Sequence, residues 1–351
     1  MSTSPDVSES KRFKDDESLV IGTHDGIFHC DELLACFMLQ QLPRYANAKI
    51  QRTRDAKQLE QCDIVVDVGA VFDPEKNRFD HHQASFQETL NSLRPEIKVK
   101  RAIRLSSAGL IYTYFGEEVI RQVLTKNSVP TPSDDLIRGV YRKLYDNMIA
   151  ELDAIDNGVP MFDGEPKYTI NSHLSGRVAR FNPAWNEEAS DADVIKRFEQ
   201  AKAYVGKEFV DSVLYYSVSW WPARDLVASA VKNRLNIHSS GAILELERFC
   251  PWKDHLYELE DEYNIVGLCK YVIYYNKEND WRVICVPLQP ASFVCRKFLA
   301  APWRGVRDEE LATISGIEGS KFCHQTGFIG GNTTREGALR MAVASLEAID
   351  E

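Results

Sequence analysis

The sequence has no uninterrupted apolar run long enough to span a bilayer. Its eight cysteines (Cys30, Cys36, Cys62, Cys250, Cys269, Cys285, Cys295, Cys323) form no Cys-x-x-Cys pair. There is no His-Glu-x-x-His, no internal repeat and no low-complexity tract. These absences exclude a small disulfide or zinc framework, a zinc-peptidase helix and a solenoid. Positive charge is short as well: Lys and Arg number 42 against 52 Asp and Glu, a net charge of −10. Such a balance argues against a surface that grips nucleic acid all over by counterion release. It leaves room for a local basic groove, and for acids that hold cations. Histidine is scarce, with eight in the chain, yet four of them fall in the first 82 residues.

At 351 residues, 44% hydrophobic and 27% charged, the chain has the makings of a soluble globular protein with two domains. Without a disulfide framework the cysteines read as reduced thiols, which predicts an intracellular compartment. Met1 to Ser18 is polar and carries Asp6, Glu9, Asp15, Asp16 and Glu17, so residues 1–17 are expected to form a disordered tail. A mitochondrial presequence would be Arg-rich and poor in acid. Lys11-Arg12-Phe13-Lys14 is too short to specify a nuclear signal.

The clustered histidines mark the centre of interest. Asn77-Arg78-Phe79-Asp80-His81-His82-Gln83 follows an apolar segment and supplies one carboxylate and two imidazoles in one short turn. Mixed nitrogen and oxygen ligation suits Mn²⁺, Fe²⁺ or Zn²⁺. Upstream, Leu19-Val20-Ile21-Gly22-Thr23 reads as a buried strand that runs into His24, Asp25, His29 and Asp31. A helix follows through Leu33, Leu34, Phe37, Met38 and Leu42, with Pro43 beyond it. Ala48 to Arg52 is a second strand, and Asp63 to Gly69 a third that carries Asp67. Strand, helix, strand predicts a parallel sheet with right-handed crossovers, whose ligand lies outside the carboxyl ends of the strands. His24, Asp31 and Asp67 occupy such positions.

Beyond a basic stretch (Lys98, Lys100, Arg101, Arg104), Ser106 and Ser107 open a helix. Either can cap it and leave backbone N–H groups aimed at an anion. Asp134 to Ile155 reads as one amphipathic helix, with Leu136, Ile137, Val140, Leu144, Met148, Leu152 and Ile155 on its stripe. Glu151, Asp153 and Asp156 crowd its C-terminal end, against the macrodipole, so at least one is a candidate cation ligand. The irregular segment Asn171–Val178 holds His173 and Arg177 as candidate substrate contacts. Asp191 to Leu235 is mostly helical. The last third returns to strands at Ala242–Leu246, Tyr271–Tyr275 and Trp281–Val286, with Asn276–Asp280 as a hairpin loop. Near the end, Gly330-Gly331 reads as a phosphate-approaching turn beside His324 and Arg335. It enters a helix with Thr333 as N-cap and Glu336 completing a capping box.

Together Asp80-His81-His82, the His24/His29/Asp31 cluster, Asp67 and the Gly330-Gly331 turn resemble the DHH phosphoesterase superfamily. More closely, Gly22–Glu32, Arg78–Gln83, Asp153–Gly158 and Gly327–Gly331 are similar to the melanocyte-proliferating-gene (MYG1-like) family of 3′–5′ RNA exonucleases, from about Leu19 to the C-terminus. The resemblance implies a metal shell of His24, His29, Asp31, Asp67, His81 and an acid at Asp153 or Asp156. Asp67 would bridge two ions, Mn²⁺ or Mg²⁺, and His82 would face the substrate phosphate. Two departures stand out. Where the superfamily has an aspartate in the middle of its first motif this chain has His29, and Asn332 stands where a third glycine and a histidine are usual.

The expected fold is α/β. A DHH-type, Rossmann-like parallel-sheet catalytic domain spans 18–190, a helical connector 191–235 and a smaller mixed α/β substrate-binding domain 236–351. The expected activity is two-metal hydrolysis of a phosphodiester at the 3′ end of single-stranded RNA, in nucleus, cytoplasm or mitochondrion. Asp67, Asp80 and His82 would be at the reacting centre. Ser106, Ser107, Arg177, His324, Gly330, Gly331 and Arg335 would hold the substrate. A small-substrate phosphoesterase (pyrophosphatase or dinucleotide phosphodiesterase) and a non-catalytic, metal-stabilised RNA-binding protein are the rival readings.

Overall fold

The computed structural model describes residues 18–349, apart from residues 98, 100, 102, 131, 277–279 and 291. The expected disordered tail, Lys98 and Lys100 of the basic stretch, and the middle of the expected hairpin loop lie outside the described residues. The chain forms two compact units, Met1–Ser217 and Val218–Glu351. Among the described residues no helix is long and apolar enough to cross a membrane.

The first unit is built on β1 (Val20–Thr23), α1 (Cys30–Gln41), β2 (Lys49–Arg52), α2 (Ala56–Glu60), β3 (Ile64–Val66), β4 (Phe72–Asp73) and β5 (Arg78–Phe79). Helices α3 (Leu90–Leu93), α4 (Ser107–Lys126), α5 (Asp134–Leu144), α6 (Ala150–Asp156), α7 (Leu174–Val178) and α8 (Asp191–Tyr215) follow. The sheet order is β2-β1-β3-β5-β4. It is parallel from β2 to β5, and β4 closes the edge antiparallel to β5. The Ile64-Val65-Val66 strand is wholly buried, as a parallel strand covered on both faces must be. One face meets α1, α4, α5 and α8 in the main core around Leu33, Leu34, Met38, Tyr112 and Phe209. The other face carries a small cluster of Leu59, Cys62, Val65 and Val68. Helix α8, part of the expected connector, packs on α1 so closely that a Cβ on Gly206 would stand 2.2 Å from the Phe37 ring.

The expected helix from Asp134 to Ile155 is interrupted by a π-helical turn at Tyr145–Ile149. That wider turn advances the buried face: Leu152 is buried as the stripe predicts, but Asp153 points inward beside it and Ile155 is exposed, contrary to the stripe.

The second unit contains α9 (Ala223–Ile237), β6 (Ile243–Leu246), α10 (Trp252–Glu262), β7 (Tyr271–Asn276), β8 (Asp280–Cys285), α11 (Asp308–Ser315), β9 (Ser320–Cys323), β10 (Ile329–Asn332) and α12 (Arg335–Glu347). Its sheet runs β6-β7-β8-β10-β9, with β6 and β7 parallel and the other pairs antiparallel. Side chains along β7 alternate between two cores. Val272 and Tyr274 pack with α9 and α10, while Tyr271 and Ile273 pack with α11 and α12. Two buried faces explain the unbroken apolar run that marks this strand.

Gly330 and Gly331 lie within β10 and not in a turn. A Cβ on Gly330 would stand 2.9 Å from Leu299 Cδ1, and one on Gly331 2.8 Å from Phe322 Cε1, so the pair is needed for close sheet packing. The cap of α12 is Thr334, whose Oγ1 accepts from the Gly337 N–H at 3.0 Å. This displaces the expected Thr333 cap and puts Glu336 out of register for a capping box.

Candidate metal centre

Three neighbouring strands of the first sheet end at one place. His24 follows β1, Asp67 follows β3, and Asp80-His81-His82 follow β5. Asp67 sits in left-handed backbone with φ 60°, a conformation Asp tolerates better than most residues. Its N–H still donates to the Phe79 carbonyl at 3.2 Å, so the ladder ends on this residue. Its two carboxylate oxygens face different partners. Oδ2 lies 3.3 Å from His24 Nε2, and Oδ1 lies 3.1 Å from His81 Nε2.

Donor atoms cluster around that carboxylate. His24, His29, Glu32 and Asp67 form one group, Asp67, Asp80, His81 and His82 a second, and Asp31, His81 and Asp156 a third, each within 4.8 Å. Glu32 escaped the sequence reading because a glutamate on the first turn of a helix reads as a cap. It does cap, accepting the His29 N–H at 2.7 Å, but the same Oε1 lies 3.3 Å from His24 Nε2. His24 Nδ1 is 2.9 Å from the Asp25 carbonyl, which directs Nε2 toward the cluster. The Asp25 side chain turns away to Arg54.

Asp80 is committed to positioning. Its Oδ1 accepts from the His81 N–H at 2.7 Å and lies 2.7 Å from His82 Nδ1, while Oδ2 accepts from the Ala70 N–H at 2.5 Å. His82 is largely exposed and is held from behind by this carboxylate.

The two acids left open by sequence part company. Asp156 Oδ2 lies 3.2 Å from His81 Nε2, within the cluster. Asp153 is fully buried, and its Oδ1 accepts from the Ser106 N–H at 2.9 Å and the Ser106 hydroxyl at 2.7 Å. Asp31 Oδ2 accepts from the Ser107 hydroxyl at 2.7 Å. The anions at the start of α4 are thus the chain's own carboxylates.

The residues present fit a divalent cation. Asp31 Oδ1 and Glu32 Oε2, on two residues of the donor groups, are buried with no hydrogen-bond partner. A buried, unpaired polar atom costs about 1–3 kcal/mol, more if charged. The titration behaviour tells the same story. Burial, then the charges of Asp67 and Asp156, push Asp31 well above the usual carboxylate range. Burial also raises Glu32 and Asp156, and takes Asp153 to about 7. For Asp67, hydrogen bonds from His24 and His81 outweigh burial and hold it at about 2. For His24, burial is outweighed by Asp67 and Glu32, which raise it to about 10. The Asp80 hydrogen bond raises His82. Protons are held where buried acids outnumber their partners, and a metal ion would offset the same charge.

The remaining sequence-predicted residues have other surroundings, each within its own unit. Arg177 Nη1 donates to the Tyr204 hydroxyl at 2.9 Å. Arg104 Nε donates to Asn157 Oδ1 at 2.5 Å, and Arg101 is exposed. In the second unit His324 is exposed, with Nδ1 3.0 Å from Thr326 Oγ1, and Arg335 is paired with Glu245. One tie the sequence did not disclose fixes the His24–His29 loop: the Asn182 side chain accepts from the Phe28 N–H at 3.0 Å and donates to the Phe28 carbonyl at 2.8 Å.

The MYG1_exonuc family model, described as "Uncharacterised protein family (UPF0160)", matches residues 20–346. The chain is 48% identical to human "MYG1 exonuclease", over 93% of this chain and 85% of that protein. It is 47% identical to a Caenorhabditis elegans MYG1 protein, over 95% of this chain and 96% of that one. A Saccharomyces cerevisiae MYG1 protein is 42% identical, over 93% and 95%. With a family model spanning nearly the whole chain, and such identity from yeast to human, this chain belongs to the MYG1 exonuclease family.

Proposed function

We propose that the chain is a metal-dependent phosphodiester hydrolase that removes nucleotides from the 3′ end of single-stranded RNA. The observation that carries this reading is Asp67. One buried carboxylate turns Oδ2 to the His24 group and Oδ1 to the His81 group, the arrangement a bridging ligand between two divalent ions requires. The mammalian relatives are named MYG1 exonuclease, which supports a nuclease. Membership of the DHH superfamily, suggested by Asp80-His81-His82, is part of the same proposal.

His24, His29, Glu32 and Asp67 would hold one ion, and Asp67, His81, Asp31 and Asp156 the other. Bound there, the ions would lower the pKa of a water and neutralise charge on the phosphoryl oxygens. Imidazole ligands favour Mn²⁺ over Mg²⁺, which prefers oxygen. His82, with Nδ1 held by Asp80 and its pKa raised by that hydrogen bond, would face the scissile phosphate or the leaving 3′-oxygen, to bind the one or donate a proton to the other. Action inside the cell is proposed with this reading; all eight cysteines are buried free thiols, as a reducing compartment would keep them. A direct test compares hydrolysis of single-stranded RNA, a dinucleotide and pyrophosphate by the Mn²⁺-loaded protein. RNA shortening is expected, and pyrophosphate turnover with intact RNA would sink the proposal.

A further inference from the structure

Within the first unit the chain forms a cleft of about 340 Å³ lined by Arg180, Phe181, Asp193, Lys196, Arg197 and Gln200, none of them among the clustered donors. The helix α8 supplies Asp193, Lys196, Arg197 and Gln200, and the short turn after α7 supplies Arg180 and Phe181. Its charges are not equally committed. Asp193 Oδ2 is taken by the Ser190 N–H and hydroxyl in the α8 capping box, and Arg197 is paired with Glu187. Arg180 and Lys196 have no hydrogen-bond or ion-pair partner among the described residues. In a chain of net charge −10, a concave site where Arg180 is unpaired among the described residues and Lys196 is held only by the nearby charge of Asp193 draws anions to itself.

Connectivity ties this cleft to the candidate metal centre. Asn182 lies two residues past Arg180, and its side-chain amide brackets Phe28, the neighbour of His29. At ~3.6 Å of chain per residue at most, Arg180 stands within roughly 20 Å of His29. The same segment runs on through Trp185, which is 97% exposed, to Glu187, the partner of Arg197. A large ring left in solvent costs hydrophobic free energy unless something stacks on it, and nucleobases stack on such rings whatever their sequence.

We propose that the cleft lined by Arg180, Phe181, Lys196 and Arg197, with Trp185 on the segment joining it to the His24–His29 loop, binds the sugar-phosphate backbone of a single-stranded nucleic acid upstream of the scissile end. This rests on the nuclease reading above and names how that substrate is held. Phosphates meet Arg180 and Lys196, and a base stacks on Trp185. The preference is for strand length and not for sequence, because backbone contacts and stacking carry no base code.

The experiment uses the full chain with EDTA present, so that binding is read without cleavage. Fluorescence anisotropy of a labelled single-stranded RNA is measured over a salt series for wild type, Arg180→Glu/Lys196→Glu, Arg180→Lys/Lys196→Arg and Trp185→Ala. The charge-reversed variant is expected to bind at least about tenfold more weakly, with a log Kd–log salt slope flatter by about 1.4, or about 0.7 for each phosphate no longer neutralised. The charge-keeping variant retains affinity and slope, and Trp185→Ala weakens binding about tenfold with the slope intact. In the Mn²⁺-loaded proteins, the ratio of kcat/KM for long RNA to that for a dinucleotide falls about tenfold on charge reversal. Unchanged RNA affinity and slope, or no RNA binding by wild type, would overturn the proposal. So would an equal loss on long and short substrates, because it would place the damage at the centre or in the fold. RNA bound through the cleft but not cleaved would instead sink the nuclease reading and leave the cleft standing.

Discussion

A Cβ on Gly109 would stand 2.3 Å from Asp153 Oδ1 and 2.6 Å from Oδ2, so the absence of a side chain on α4 is what admits this carboxylate to the interior. Asp153 in turn satisfies the Ser106 N–H and hydroxyl at the start of the same helix. Gly109→Ala is therefore expected to lose about 1–3 kcal/mol by overpacking, against the usual small gain of alanine in a helix. Urea denaturation of the metal-free protein reads it. A stabilised variant would mean that Asp153 is free to move.

Asp153 and Asp156 should separate in metal analysis. Asp156→Asn removes a donor beside His81 and is expected to lower bound Mn²⁺ and activity while leaving the metal-free fold as stable as wild type or more so. Asp153→Ala strands the Ser106 donors in the interior and is expected to cost about 1–3 kcal/mol, whatever it does to metal binding. Elemental analysis after gel filtration, paired with denaturation, distinguishes the two. Reversed behaviour would exchange their roles.

The acids raised by burial set a pH dependence for the metal-free protein. Native Asp31, Glu32, Asp153 and Asp156 bind protons more tightly than the unfolded chain does. Their contribution is fully present below the ordinary carboxylate pKa of about 4 and is lost as pH rises, through about 7 for Asp153. His24, raised to about 10, contributes fully below its ordinary pKa of ~6.5 and loses that contribution between there and about 10. Asp67, lowered to about 2, acts the other way, but only below its ordinary ~3.9. Metal-free stability should thus fall from pH 5 to pH 9, and Mn²⁺ should restore it and release protons on binding. Calorimetry in buffers of different ionisation enthalpy measures that release. No release at pH 7 would show that the centre does not exchange protons for metal.

The scaffold of this centre was legible because each of its parts follows a strand. His24 and Asp67 stand just past short apolar runs and Asp80-His81-His82 just past the two-residue strand Arg78–Phe79, and a parallel sheet brings such ends together. What was hidden depended on tertiary packing. Glu32 was masked by its second role as a cap, and the burial of Asp153 against Ser106 by the π turn, which rotates the end of its helix. Gly330-Gly331 reads locally as a turn, and only the closeness of Leu299 and Phe322 shows why a strand needs two glycines. The Asn182–Phe28 tie joins residues 154 positions apart, beyond any periodicity.

That tie should matter to metal affinity as much as to stability. Asn182→Ala removes both bonds to Phe28 and frees the loop that carries His24 and His29. About 1–2 kcal/mol of stability should be lost, with Mn²⁺ binding weakened about tenfold. Equal Mn²⁺ affinity in a titration would show that the loop is held by other parts of the fold.

The most direct measurement follows a 5′-labelled single-stranded RNA on a gel with wild type and a folded Asp67→Ala variant, with and without Mn²⁺. Asp67 faces both donor groups, so its loss should remove the ladder of 3′-shortened products that wild type makes only with metal present. A ladder of equal strength from Asp67→Ala, or from wild type in EDTA, would contradict a hydrolytic metal centre built around this carboxylate.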